Sequence, residues 1–111
     1  MEYDHVLIAT DLLGDETLFS VGVDTARKLG AKQLTFLHVL DPAAGLESID
    51  FAMPVAKLVA EYEERAVAAL EHRRDQYCKG SGLEAEVVAV RHRNAGWGTV
   101  DWAESHAVDL I

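Results

Sequence analysis

The chain alternates between two kinds of pattern, and that alternation limits its fold more than any other feature. Val6-Leu7-Ile8-Ala9 is a short continuous apolar run, and residues 34–40 and 84–90 are further runs of strand length. Each is followed by a stretch whose apolar residues recur every three or four positions, and the last such stretch runs into Val108-Asp109-Leu110-Ile111. Continuous apolar runs of this length suit parallel strands covered on both faces. The order β-α-β-α-β-α-β calls for right-handed crossovers with helices on both sides of the sheet. The expected architecture is a Rossmann-like α/β fold, a doubly wound parallel sheet. A length of 111 residues sets one domain with a modest single core.

The helical stretches carry their own punctuation. Asp15 is a candidate N-cap, Glu16 places negative charge in a first turn, and Phe19, Gly22, Val23, Ala26 and Leu29 form one face before Gly30 ends the helix. The second helix spans about residues 52–79, with Pro54 in its first turn and an apolar stripe of Val55, Leu58, Val59, Tyr62, Ala66, Ala69, Leu70 and Tyr77. Residues 84–90 alternate at first, as a strand at a sheet edge does. Thr99 is the expected cap of a short third helix with Val100, Ala103 and Ala107 facing inward.

Composition removes several function classes. Nineteen acidic against ten basic residues give a formal charge of −9, the wrong sign for bare nucleic-acid or anionic-membrane binding. No apolar run approaches the ~20 residues of a membrane span. The N-terminus has two acids and no basic region, so no signal peptide is expected and the chain reads as cytoplasmic. The single cysteine, Cys78, reads as a helix-end thiol without chemistry. The five histidines are scattered without paired metal-ligand spacing, and His38, on a buried strand, reads as a satisfied core histidine. No nucleophile–base pair is visible, no Gly-x-Gly-x-x-Gly follows the first strand, and the third strand ends without a phospho-acceptor aspartate.

Four segments in this order carry a family resemblance: "YDHVLIATDLLGDE", "ARKLGAKQLTFLHVLDP", a long helix into "GLEAEVVAV", and an acid-containing short helix into "VDLI". Together they cover essentially residues 1–111 as one domain, and the chain resembles the universal stress protein family. That resemblance implies strand order 3-2-1-4-5. It also implies that the strand opened by "VDLI" continues into a Gly-x-x-Gly loop whose amides hold ATP phosphates, followed by a last helix and a fifth strand. The expectation is therefore a longer chain, of which the part before that loop is given. The family commonly forms dimers through its fifth strand, so the resemblance further implies a homo-oligomer. If strand 4 were instead the last element, it would be an exposed edge prone to aggregation.

Ligands of doubly wound sheets sit outside the carboxyl ends of the strands, where strand order reverses. Here that crest holds Thr10, Asp11 and Leu12 after strand 1, and Val39, Leu40 and Asp41 after strand 2. By resemblance, the cofactor-binding residues are Ala9, Thr10, Asp11 and Val39, with the valine position meeting adenine and the aspartate lying near the ribose and a metal–phosphate region. A carboxylate repels phosphate, so Asp11 suits a ribose hydroxyl or a Mg²⁺-bound water. Leu13 stands where many members have serine or glycine, and Leu12-Leu13 is an alternative filler of the region. Arg91-His92-Arg93 is the one basic cluster, either a solvated loop or a contact for phosphate or a partner. The leading expectation is a stress-response signalling module that binds ATP with Mg²⁺ and hydrolyses it slowly if at all. The alternatives are a member acting through dimerisation and partners without a nucleotide, and an enzyme of the wider nucleotide-binding superfamily.

Overall fold

The computed structural model describes residues 3–12, 16–41 and 55–111. Three strands, β1 (His5–Ala9), β2 (Gln33–Leu40) and β3 (Glu84–Arg91), alternate with three helices, α1 (Glu16–Lys28), α2 (Val55–Cys78) and α3 (Ala95–Ser105). The strands are parallel, with β2 between β1 and β3. On the outer side of β1, Leu110 bridges to Val6 in parallel, and the Leu7 N–H donates to the Leu110 carbonyl at 2.8 Å. The spatial order is thus 3-2-1 with the final segment beside β1, as the α/β reading expects. Asp109 fixes this junction, because one of its carboxylate oxygens accepts the backbone N–H groups of Asp4 (3.0 Å) and His5 (2.9 Å).

The two sheet faces are filled by different elements. Val6, Ile8, Leu34 and Phe36 point to one side and pack with Phe19, Val23 and Ala26 of α1 and Leu70 of α2. Leu7 and Leu37 point to the other side and pack with Ala103 of α3, joined by half-buried Val39, Val88, Val90 and Trp102. This is the period-2 alternation of a strand covered on both faces. Phe19 lies between Phe36 (ring centroids 5.5 Å) and Tyr77 (6.0 Å, stacked). Gly22 lets α1 approach β1, since a Cβ there would run into the Ile8 side chain. α1 ends in a Schellman turn: Gly30 has φ +73°, the Ala31 N–H reaches the Ala26 carbonyl and the Gly30 N–H the Arg27 carbonyl.

The sequence expectation departs from the structure in several places. α3 starts at Ala95, not after Thr99. Asn94 is the cap, its side chain accepting the Trp97 N–H at 3.0 Å, while the Thr99 hydroxyl donates back to the Ala95 carbonyl. Of the three expected inward residues only Ala103 is buried; Val100 is exposed, and Ala107 is exposed beyond the end of the helix. Leu29 is exposed at the margin of the α1 apolar face, and Tyr62 and Ala69 of α2 are exposed because Ala66 and Leu70 meet the sheet instead. The expected cap at Asp15, and Leu13 and Pro54, lie outside the described residues. β3 is half-buried along most of its length, as an edge strand is.

Buried polar groups mark both ends of the sheet. At the amino ends, His5 Nε2 lies 2.7 Å from Thr35 Oγ1, and the Thr35 hydroxyl donates to Glu86 at 2.9 Å. At the carboxyl ends the buried polar side chain is His38.

Candidate functional site

The carboxyl ends of β1 and β2 meet at one crest. Ala9 pairs with Leu37, and the Thr10 N–H continues the ladder to the Leu37 carbonyl at 2.9 Å. After Thr10 the chain turns sharply. The Leu12 N–H bonds to Thr10 Oγ1 at 3.0 Å, and Leu12 takes the left-handed region at φ 64°. Such a conformation is uncommon for a bulky residue and costs about 1–2 kcal/mol. The turn leaves Asp11 exposed at the apex, and it folds Leu12 down against the Val6, Ile8 and Phe19 side of the sheet.

That packing answers, for Leu12 alone, one question the sequence left open. Val39 belongs to the opposite face, with Leu37 and Val90. By strand alternation Ala9 shares that face with Leu7, and it is exposed there. Asp11 and Val39 are therefore at the same end of the sheet, and Leu12 does not occupy the side that Ala9 and Val39 share.

The backbone of Val39 has a special position. The odd-numbered residues of β2 turn their amide and carbonyl toward β1: the Gln33 N–H reaches the Asp4 carbonyl, and the Leu37 carbonyl receives the Thr10 N–H. Val39 is the next odd residue, and its counterpart in a continued ladder would be the Thr10 carbonyl. That carbonyl instead accepts from His38 Nδ1 at 2.9 Å. The Leu12 N–H, which would reach the Val39 carbonyl, goes to the Thr10 hydroxyl. Among the described residues no backbone hydrogen bond carries the β1–β2 ladder on to Val39. By this alternation the Val39 N–H and C=O lie side by side on the edge of β2 turned toward β1.

α3 closes the far side of the crest. A Cβ on Gly98 would lie 2.9 Å from Val39 Cγ1 and 2.9 Å from His92 Cβ, so glycine brings the first turn of α3 directly onto these two residues. His92 is fixed as well: its backbone N–H reaches the Leu40 carbonyl, and its Nδ1 accepts the Asn94 N–H at 2.9 Å. With Nδ1 accepting, the other ring nitrogen carries the proton and faces Asp101 at 3.6 Å. Arg91 is tied to Glu63 of α2 at 2.6 Å, whereas Arg93 and Trp97 are exposed. The basic cluster therefore divides into one ion-paired residue, one packed imidazole and one exposed cation at the crest.

Other features contribute less. Among the described residues no group of three or more His, Cys, Asp or Glu side chains is arranged to hold a metal ion. No described helix is long and apolar enough to cross a membrane. An open apolar groove of about 450 Å³ follows the outer edge of β1 beside α1, lined by Ala9, Leu18, Val21 and Ile111 among others. Cys78 closes α2 half-buried, and burial pushes its thiol up, against the lowering effect of Arg74 and with a smaller raising effect from Asp75. Since the thiolate is the nucleophile, iodoacetamide should alkylate Cys78 more slowly than an unstructured cysteine peptide at about pH 8, the gap closing as pH rises. An equal or faster rate at that pH would contradict the burial effect.

Comparison with known proteins follows from this geometry. The universal stress protein family matches residues 2–111. The chain belongs to that family. No curated protein matches it, but solved structures share the fold. A universal stress protein family member from Burkholderia pseudomallei superposes with TM-score 0.72 at 17% identity, over 96% of this chain and 76% of that one. The universal stress protein UspA from Lactobacillus plantarum gives TM-score 0.73 at 20% identity, over 99% and 76%. The hypothetical protein MJ0577 gives 0.71 at 21% identity, over 100% and 74%. Identities this low speak to the fold of this universal stress protein chain and leave its ligand to its own residues.

Two residues of the crest escaped the sequence reading. His38 is buried as expected but is satisfied at only one nitrogen: Nε2 has no hydrogen-bond partner. Its place directly before Val39 at a strand's carboxyl end was the available signal. Gly98 was passed over, although a glycine inside a helix, where it costs about 1 kcal/mol relative to alanine, signals a close approach.

Proposed function

We propose that this universal stress protein domain binds an adenine nucleotide, ATP with Mg²⁺, at the crest formed by Ala9, Thr10, Asp11 and Val39, and acts as a cytosolic signalling module, not as a fast catalyst. The observation that carries the reading is the pair of peptide groups of Val39 turned toward β1 where the β1–β2 ladder stops. One N–H and one C=O side by side match a purine edge with an acceptor ring nitrogen next to a donor amino group. Adenine offers N6–H₂ as donor, whereas guanine carries an acceptor oxygen at the corresponding position. Val39 Cγ atoms and the exposed Ala9 methyl supply apolar contact for the ring. Asp11, exposed at the apex of the turn, is placed for a ribose hydroxyl or a Mg²⁺-bound water. The family's phosphate loop is the expected grip on the anionic tail. Homo-oligomerisation belongs to the same proposal.

Calorimetric titration with ATP–Mg²⁺ and with GTP–Mg²⁺ tests it. ATP should bind and GTP should bind far more weakly. Asp11→Ala should raise the ATP Kd by roughly 10- to 100-fold, the worth of a hydrogen bond to a charged group. Equal binding of both nucleotides, or of neither, would contradict the reading. Binding of neither would leave a module that works through partner contacts alone.

A further inference from the structure

We infer that His38 is the positioning residue of this site: its imidazole takes the Thr10 carbonyl out of the sheet ladder and so holds both the Asp11 turn and the open Val39 peptide edge. The inference rests on the adenine-nucleotide reading for its functional meaning, but its geometry stands separately. A carbonyl only accepts, so Nδ1 of His38 carries the proton and donates to Thr10 at 2.9 Å. Thr10 is then held at three atoms: its N–H by the Leu37 carbonyl, its C=O by His38 and its Oγ1 by the Leu12 N–H. The two residues are 28 positions apart in the chain, so the bond ties strand β2 to the loop after β1.

The rest of the ring suggests that this tether is not there for stability. His38 is 5% exposed, and its Nε2 is buried without a partner. The Tyr62 ring lies beside it on α2, with centroids 6.2 Å apart and tilted. A buried polar atom without a hydrogen bond works against folding, and an apolar side chain of similar volume avoids that cost. What an apolar side chain would lack is the donor to Thr10. Without it, the Thr10 carbonyl is available to the Val39 N–H, which would lengthen the ladder by one step and close the edge the purine needs.

Asparagine and glutamine separate the two nitrogens. The amide of asparagine places a donor near the Nδ1 position, and that of glutamine places one near Nε2. ATP–Mg²⁺ binding, thermal unfolding and amide exchange at Val39 should be measured on the full chain for wild type, His38→Asn, His38→Gln and His38→Leu. Wild type and His38→Asn should bind within about threefold of each other. His38→Gln and His38→Leu should bind roughly tenfold more weakly, the value of one lost hydrogen bond. His38→Leu should unfold no earlier than wild type, which a purely structural histidine would not allow. Slower Val39 amide exchange in nucleotide-free His38→Leu than in nucleotide-free wild type reports the closed edge. If wild type binds no nucleotide, the functional reading fails while the exchange result still judges the tether. Unchanged Val39 exchange in nucleotide-free His38→Leu, or tight ATP binding by that variant, overturns the inference.

Discussion

Replacing Phe36 with alanine should lower the unfolding free energy by about 3–5 kcal/mol, the range for deleting a fully buried phenylalanine. Phe36 is 0% exposed at the middle of the central strand. Its ring touches Phe19 of α1, which stacks on Tyr77 at the end of α2 and lies beneath the Arg73 guanidinium at 5.7 Å. One side chain thus supports contacts from two helices. The void left by alanine is bounded by β2 neighbours locked in a ladder on both sides, so the site has little freedom to collapse. For a domain whose total stability is about 5–15 kcal/mol, this is a large share. Urea denaturation should show a lower midpoint with an unchanged slope. Val21→Ala, at a helix position 55% exposed, is the matched control and should stay within about 0.5 kcal/mol. A Phe36→Ala loss below about 1 kcal/mol would mean that the core is not organised around β2.

Gly98→Val should cost both stability and nucleotide affinity. The nearest atoms to a Cβ at this position are Val39 Cγ1 and His92 Cβ, both at 2.9 Å. Neither is the free end of a flexible chain, because one is a branch of a β-branched strand residue and the other is bonded directly to its backbone. The first turn of α3 must therefore lift from the sheet. Overpacking of this kind costs about 1–3 kcal/mol, partly offset in an alanine variant by the ~1 kcal/mol gain in helix propensity. Gly98→Ala should accordingly be mildly destabilising and Gly98→Val clearly so. Gly96→Ala, two residues earlier, meets only Asn94 Oδ1 at 3.3 Å and should be close to neutral. Under the proposed function, lifting α3 displaces His92 and reshapes the wall beside Val39, so the valine variant should bind ATP more weakly even where it remains folded. A Gly98→Val protein with wild-type stability would show that α3 does not rest on Val39.

The sheet was legible because strand burial leaves a local trace. Val6 to Ile8 are buried on alternating sides, and a continuous apolar run is the one pattern that serves both. The amphipathic face of α1 was read correctly at Phe19, Val23 and Ala26, where a three- to four-residue step meets a flat sheet. It failed at Leu29, which is exposed although its N–H still reaches the Thr25 carbonyl, because it lies at the margin of the face centred on Phe19, Val23 and Ala26. The start of α3 was misplaced because threonine and asparagine are both good caps. Asn94 won through the Trp97 amide it reaches, and Thr99 bonded backward instead.

The crest shared by the candidate residues was legible, and the bonding that shapes it was not. The rule that ligands gather at strand carboxyl ends singled out Thr10, Asp11 and Val39 as candidates, and the structure puts them at one end of the sheet. The family resemblance supplied the roles proposed for them. Nothing local revealed that the Thr10 carbonyl would be taken by a histidine on the neighbouring strand, since that depends on the β1–β2 register. The same holds for Leu12, whose left-handed conformation and packing direction follow from the turn around Thr10 Oγ1.

The most direct test of the nucleotide proposal is an amide chemical-shift map recorded during titration with ATP–Mg²⁺. Saturable shifts should concentrate at Ala9, Thr10, Asp11, Leu12, Val39 and Leu40, with the Val39 amide among the largest. Shifts absent from Val39 and gathered instead in the groove between β1 and α1, or spread without a centre, would contradict it.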